Sequence, residues 1–179
     1  MVDEKQFYPT PSSLAYRAFH QFKNKDIVRL LEPSAGVGSL LKPVLDSRQH
    51  LKDKIDCIEI DLNKQAILRE QGLTVVDGDF MQFDGAPMYS HCLANPPFKY
   101  AVDHVIKAFN LLIHGELVAI VNAETIKNPC SKKKQLLVDW ITEYGSDEFI
   151  ESAFTEPDTL RRTQVEVALI HLEKKPIIN

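Results

Sequence analysis

The tetrapeptide Asn95-Pro96-Pro97-Phe98 carries more chemical information than any other segment of this chain. Average residue usage would produce it by chance in roughly one such chain in a thousand. Proline fixes φ and cannot donate to a ladder, so two in succession hold a rigid turn. From that turn the Asn95 side-chain oxygen and the Pro96 carbonyl can point at one spot as paired acceptors. An aromatic amine is a poor nucleophile because its lone pair is delocalised into the ring. Two acceptors gripping its hydrogens favour the pyramidal form that attacks carbon, which is transition-state electrostatics rather than base catalysis. Phe98 could stack on a base turned out of its neighbours. The plainer reading is a proline-rich strand stop with Asn as a turn former.

Three more sets of residues belong with it. Glu32-Pro33-Ser34-Ala35-Gly36-Val37-Gly38 places glycines where a tight turn would let a ligand approach the backbone at a helix N-terminus. A nicotinamide fingerprint would need a third glycine where Leu41 stands, so the spacing alone also fits a flexible strand-to-helix turn. Glu59 follows roughly 20 residues later, where a carboxylate can accept both hydroxyls of a ribose. Asp79-Phe80 pairs an acid that can accept from an adenine amine with a ring that can cover the base; a turn acid beside a core Phe is the alternative. Taken together, the three suit an adenosine-containing ligand.

For these residues to meet, each must emerge at the end of a strand. Ser12 can cap a helix whose face Leu14, Ala18, Phe19, Phe22 stops near Lys25. Ile27 to Leu31 reads as a buried strand, and a helix begins near Gly38. Ile55 to Ile60 is a second strand, followed by a helix from Asn63 to Gln71 that Gly72 stops. Leu73 to Val76 and Ser90 to Ala94 are the third and fourth strands. A wide stripe made by Ala101, Val105, Ala108, Leu112 and by Val102, Ile106, Phe109, Ile113 predicts a helix packed on a sheet. Leu117 to Val121 is the fifth strand, Lys132 to Tyr144 a helix, and Phe149 to Phe154 and Val165 to Leu172 the last strands. The βαβ order predicts an α/β fold, an open and largely parallel sheet with helices on both faces, whose ligands sit at the carboxyl ends of the strands.

The chain has 179 residues, 44% hydrophobic and 26% charged, which matches one domain with a sizeable core over residues 1–179. Its net charge of −4 gives no overall positive field, so nucleic acid would need a local patch. Lys127, Lys132, Lys133 and Lys134 crowd one segment, and Arg161-Arg162 another; each is by default a solvated face, yet both adjoin the expected site. The acidic start Met1-Val2-Asp3-Glu4-Lys5 resembles no leader, and no apolar run nears the ~20 residues of a membrane span, so a cytoplasmic protein is expected. Cys57, Cys92 and Cys130 fit neither a disulfide framework nor a zinc site and read as reduced thiols, buried where they fall in strands. The six histidines lack metal-binding spacing, so no metal is expected. Trp140, with Leu136, Leu137 and Ile141, reads as core packing.

Across nearly its whole length the sequence resembles the class I S-adenosylmethionine-dependent methyltransferases, and among them the amino-methyltransferases that modify adenine. Phe7-Tyr8-Pro9-Thr10-Pro11 looks like the amino-terminal motif that closes over the methionine part of the cofactor in the adenine branch, and Tyr8 is expected to cover the cofactor rather than merely anchor the first helix. Leu31 to Gly38 resembles the glycine-rich motif, implying cofactor contacts from Glu32, Ser34, Ala35, Gly36 and Gly38. Ile58-Glu59-Ile60-Asp61 is similar to the second motif, with Glu59 on the ribose and Ile60 packing on adenine, and Gly78-Asp79-Phe80 to the third. Asn95-Pro96-Pro97-Phe98 looks like the catalytic fourth, with Asn95 also beside the cofactor.

The resemblance implies a seven-stranded, mostly parallel Rossmann-like sheet with an antiparallel last strand, and methyl transfer to N-6 of adenine in nucleic acid, DNA preferred over RNA. Asn95, Pro96 and Phe98 would be catalytic; Pro97, Phe98, Lys132, Arg161 and Arg162 would touch the substrate. Many DNA enzymes of this branch add a target-recognition domain after the catalytic fold, whereas this chain reads as the catalytic domain alone. Substrate contact would then come from loops, a second copy or a partner chain. The rivals are an RNA adenine enzyme, a protein-glutamine methyltransferase, and an inactive cofactor-binding partner subunit.

Overall fold

The computed structural model describes residues 9–154 and 165–176. Helix α1 is Ser12–Gln21, strand β1 Leu30–Glu32, helix α2 Lys42–Ser47, strand β2 Ile55–Ile58, helix α3 Leu62–Glu70 and strand β3 Thr74–Asp77. Strand β4 (Tyr89–Ala94) leads to helix α4 (Ala101–Leu111), strand β5 (Leu112–Asn122), helices α5 (Ala123–Lys127) and α6 (Lys132–Tyr144), and strands β6 (Gly145–Ile150) and β7 (Val167–Lys174). The strands form a seven-stranded sheet in the order β3-β2-β1-β4-β5-β7-β6. Pairings among β3, β2, β1, β4 and β5 are parallel, while β7 runs antiparallel to both β5 and β6. The α/β class, the mostly parallel sheet and the antiparallel last strand therefore match the expectation.

Side chains alternate between faces along a strand, and that alternation divides the core. Leu30, Leu93, Val118 and Ile120 pack with Leu14 and Ala18 of α1, with Phe22 just after it and with Val44 of α2. Leu31, Cys92, Ala119 and Val121 point the other way, onto Val105 and Ala108 of α4 and Leu137 and Ile141 of α6. Both faces of the central strands are covered, which is why their sequences read as continuous apolar runs.

Several boundaries differ from the sequence expectation for identifiable reasons. The first strand begins at Leu30, because the amides of Val28 and Arg29 donate to the Ser90 hydroxyl instead of a ladder. The second ends at Ile58, beyond which the chain turns so that the Asp61 amide donates to the Glu59 carboxylate. The helix expected near Gly38 does begin there, as a 3-10 turn, Ser39–Leu41, that runs directly into α2. Pro11, not Ser12, occupies the cap of α1. Helix α4 stops at Leu111, so Leu112 and the exposed Ile113 belong to a longer β5. The last two strands lie at Gly145–Ile150 and Val167–Lys174 rather than at Phe149 to Phe154 and Val165 to Leu172. Cys57 and Cys92 are buried as expected, whereas Cys130, outside any strand, is exposed.

Candidate active site

Strand order reverses between β1 and β4, which makes their carboxyl ends the switch point where open α/β sheets bind ligands. Leu31 pairs in parallel with Cys92, so the glycine turn that follows Glu32 and the Asn95 turn that follows Ala94 leave neighbouring strands at the same edge of the sheet. On the other side, β2 and β3 deliver Glu59 and Asp79. The glycine turn after β1 takes a form that only glycine adopts without strain, with φ of 56° at Gly36 and 86° at Gly38. The Ala35 amide donates to the Ile58 carbonyl at 3.0 Å, tying this turn to the end of β2.

Glu59 pins the turn directly. One of its carboxylate oxygens accepts from the Gly36 amide at 2.7 Å and the other from the Asp61 amide at 2.9 Å. Each oxygen keeps a second lone pair, so this buried acid can still accept from a ligand's hydroxyls. Ile60, next in sequence, is 57% exposed, an apolar surface beside the acid. Glu32 is 1% exposed and accepts from the Ser34 amide at 3.1 Å. Burial pushes its carboxyl up to about 8 against that one amide, and the charge of Glu59 adds to the rise. A cation entering here would restore the charged form.

Asp79 is half-buried and accepts from the Met81 amide at 2.9 Å, holding the turn after β3. Phe80 departs from expectation. Its ring is 3% exposed and meets the edge of His104 with centroids 5.1 Å apart, so it serves as floor and offers no open face to a base. His104 was missed in the sequence, where it stands on the buried row of α4 with Ala101, Val105 and Ala108. A polar residue interrupting an apolar row was the available signal. Its Nδ1 lies 3.2 Å from the Ser34 hydroxyl, joining the helix that follows Asn95-Pro96-Pro97-Phe98 to the glycine turn. Burial lowers its imidazole to about 4, so it is neutral near pH 7.

Pro96 is buried and Asn95, Pro97 and Phe98 are half-buried. The Tyr100 amide donates to the Pro97 carbonyl at 2.9 Å, closing the turn into α4. Asn95 donates through Nδ2 to the Thr10 hydroxyl at 2.9 Å. The Phe98 ring lies edge-on to Phe154, centroids 6.3 Å apart. Burial raises the thiols of Cys57 and Cys92, which rules them out as nucleophiles near neutral pH.

The lysine cluster is less basic than it reads. Lys127 bonds Glu166 and Lys133 bonds Asp103, which leaves Lys132 exposed and Lys134 bonded to the Cys130 sulfur. Tyr8, Arg161 and Arg162 lie outside the described residues. A separate open cleft of about 470 Å³ runs along the outer side of α4, lined by Met81, Pro87, Ile106 and Lys107 among others, and none of the expected site residues lines it. No described helix is long and apolar enough to cross a membrane.

No protein-family model matches the sequence, and no curated protein matches it. Solved structures do match: the architecture is that of the Rossmann-like, class I methyltransferases. A Thermoplasma acidophilum protein, 1320, superposes with a TM-score of 0.64 at 20% identity, over 96% of this chain and 90% of its own. The methyltransferase subunit of a type I restriction-modification system from Streptococcus thermophilus gives 0.72 at 14% identity, over 96% of this chain but 46% of that one. A dimethyladenosine transferase from Plasmodium falciparum gives 0.65 at 16% identity, over 94% and 63%.

Proposed function

We propose that this protein is an S-adenosylmethionine-dependent methyltransferase acting on N-6 of adenine in nucleic acid, DNA in preference to RNA. The observation that carries the reading is the placement of Asn95 after β4, on the strand beside the one that leads into the glycine turn, and held by its nitrogen end. The donor set fits the cofactor: a buried acid raised to about 8 suits an ammonium group, and an exposed isoleucine beside a buried acid suits a nucleoside. Once bound, the sulfonium supplies an activated methyl group.

In this mechanism Glu32 holds the amino end of the cofactor, Glu59 takes the ribose hydroxyls, Ile60 packs on its adenine and Asp79 accepts from that adenine's amine. Ser34, Ala35, Gly36 and Gly38 line the approach. Asn95 Oδ1 and the Pro96 carbonyl accept the two hydrogens of the target amine, which localises its lone pair towards the methyl carbon. Pro97 and Phe98 hold the flipped base. Holding donor and acceptor in line supplies much of the rate, with no base required before attack. Lys132, Arg161 and Arg162 would contact the phosphates.

DNA is preferred because Phe98 and the Thr10-Pro11 pair resemble the DNA adenine branch, and the similarity to a restriction-modification subunit supports it. The similarity to a dimethyladenosine transferase keeps RNA as the second reading. The test is transfer of labelled methyl to separate DNA, RNA and protein pools. Label is expected in DNA adenine and is expected to vanish in Asn95→Ala. Label in RNA or glutamine alone would replace the substrate, undiminished transfer by Asn95→Ala would remove the assigned role, and cofactor binding with no transfer to any pool would indicate an inactive partner subunit.

A further inference from the structure

An asparagine side chain has two ends of similar shape and opposite hydrogen-bonding character, and only the oxygen end can accept from an amine. A flipped Asn95 would aim two N–H donors at a group that itself donates. Something must therefore select the orientation, and Thr10 is in contact with the amide. Its hydroxyl accepts from Nδ2 at 2.9 Å, across 85 residues of sequence.

The position of that hydroxyl is well determined. Thr10 is 8% exposed and stands between Pro9 and Pro11, whose rings restrict the backbone on either side. Pro11 has φ −57° and ψ 148°, and its carbonyl accepts from Ala15 at 2.9 Å to open α1. Helix α1 is seated on the sheet by Leu14 and Ala18, and by Phe22 at its C-cap. The hydroxyl is thus carried by a packed frame that is remote in sequence from β4. Meanwhile Pro96 and Pro97 fix the backbone that carries Asn95.

We propose that Thr10 is a positioning residue: it holds the Asn95 amide by its nitrogen end and so presents Oδ1 to the acceptor amine. This rests on the reading of Asn95 as the amine acceptor and goes beyond it, since it gives the amino-terminal segment a part in the chemical step. A pure cofactor contact at Thr10 would appear as lost cofactor affinity. An orienting contact appears in kcat.

Thr10→Val keeps the shape and removes the acceptor, while Thr10→Ser keeps the hydroxyl. With the nucleic acid that the wild type methylates, Thr10→Val is expected to lower kcat about ten- to a hundredfold with cofactor Kd changed less than about twofold, and Thr10→Ser to recover most of the rate. Unchanged kcat in Thr10→Val would overturn the proposal, as would an equal loss of cofactor affinity. The contact is also read without turnover, from the Asn95 side-chain NH2 signal in a 15N NMR spectrum, assigned by its disappearance in Asn95→Asp. That signal is expected to move in Thr10→Val and stay close to wild type in Thr10→Ser; a signal indifferent to Thr10→Val overturns the contact itself. Should the wild type transfer no methyl group, the functional reading fails separately, and the NMR result still decides the contact.

Discussion

Glu59 illustrates how one side chain can serve structure and ligand together. Its carboxylate fixes the glycine turn through Gly36 and the start of α3 through Asp61, and under the proposed function the same oxygens take the ribose hydroxyls. Replacing it with alanine is expected to weaken S-adenosylmethionine binding by about 1.5–3 kcal/mol, the range for a lost charged hydrogen bond. Calorimetry showing unchanged affinity would count against the ribose role. The residue's position after a strand was readable in the sequence, because an acid ending an apolar run is conspicuous. Its bonds to two backbone amides were not, since they depend on how the turn after β1 folds back over β2. Phe80 shows the same limit: its type suited both stacking and core, and packing against His104 decided between them.

Helix α6 was legible to its ends, Lys132 and Tyr144, because Ser131 caps it and its apolar face has helical period. Strand β6 was not. Its segment Gly145-Ser146-Asp147-Glu148 has none of the composition of a strand, and it forms one because it lies at the sheet edge against β7. Gly145 permits that approach: a Cβ added there would sit 1.8 Å from the His171 carbonyl oxygen. Gly145→Val is therefore expected to destabilise the protein by about 1–3 kcal/mol, as overpacking does, with β6 amides losing protection first in hydrogen exchange. Equal protection in the variant and the wild type would show that the edge tolerates a side chain. The lysines from the end of α5 to the first turn of α6 were equally misleading as a charge count, because Glu166 and Asp103, far away in sequence, neutralise two of them, Lys127 and Lys133.

Opposite ends of the chain are fastened beneath the sheet by Glu116 on β5. It accepts from the amides of Lys23 at 2.8 Å and Asn24 at 2.6 Å after α1, and from His171 Nε2 on β7 at 2.5 Å. Burial opposes its charge, but the Asn24, Lys23 and His171 donors together hold its carboxyl below the usual carboxylate range. A depressed acid contributes stability that is present above its unfolded value of 4.5 and is lost as pH falls through the folded one. Glu116→Gln should consequently be less stable than the wild type at pH 7, by about 1–3 kcal/mol, with the gap closing below pH 4.5. Urea unfolding at several pH values measures this, and a gap that stays constant into acid would remove the charge from the account.

From the sequence alone followed the succession of elements, the largely parallel α/β sheet and the strand ends and turns that carry Glu32, Glu59, Asp79 and Asn95, because periodicity and strand-ending residues are local properties of a chain. The order of strands in space, the inward turn of Phe80, the pairing of Lys127 and Lys133 with acids, and the bonds of Thr10 to Asn95 and His104 to Ser34 came only with folding. Each joins residues far apart along the chain, and which distant partner a side chain meets is settled by packing rather than by its neighbours in sequence.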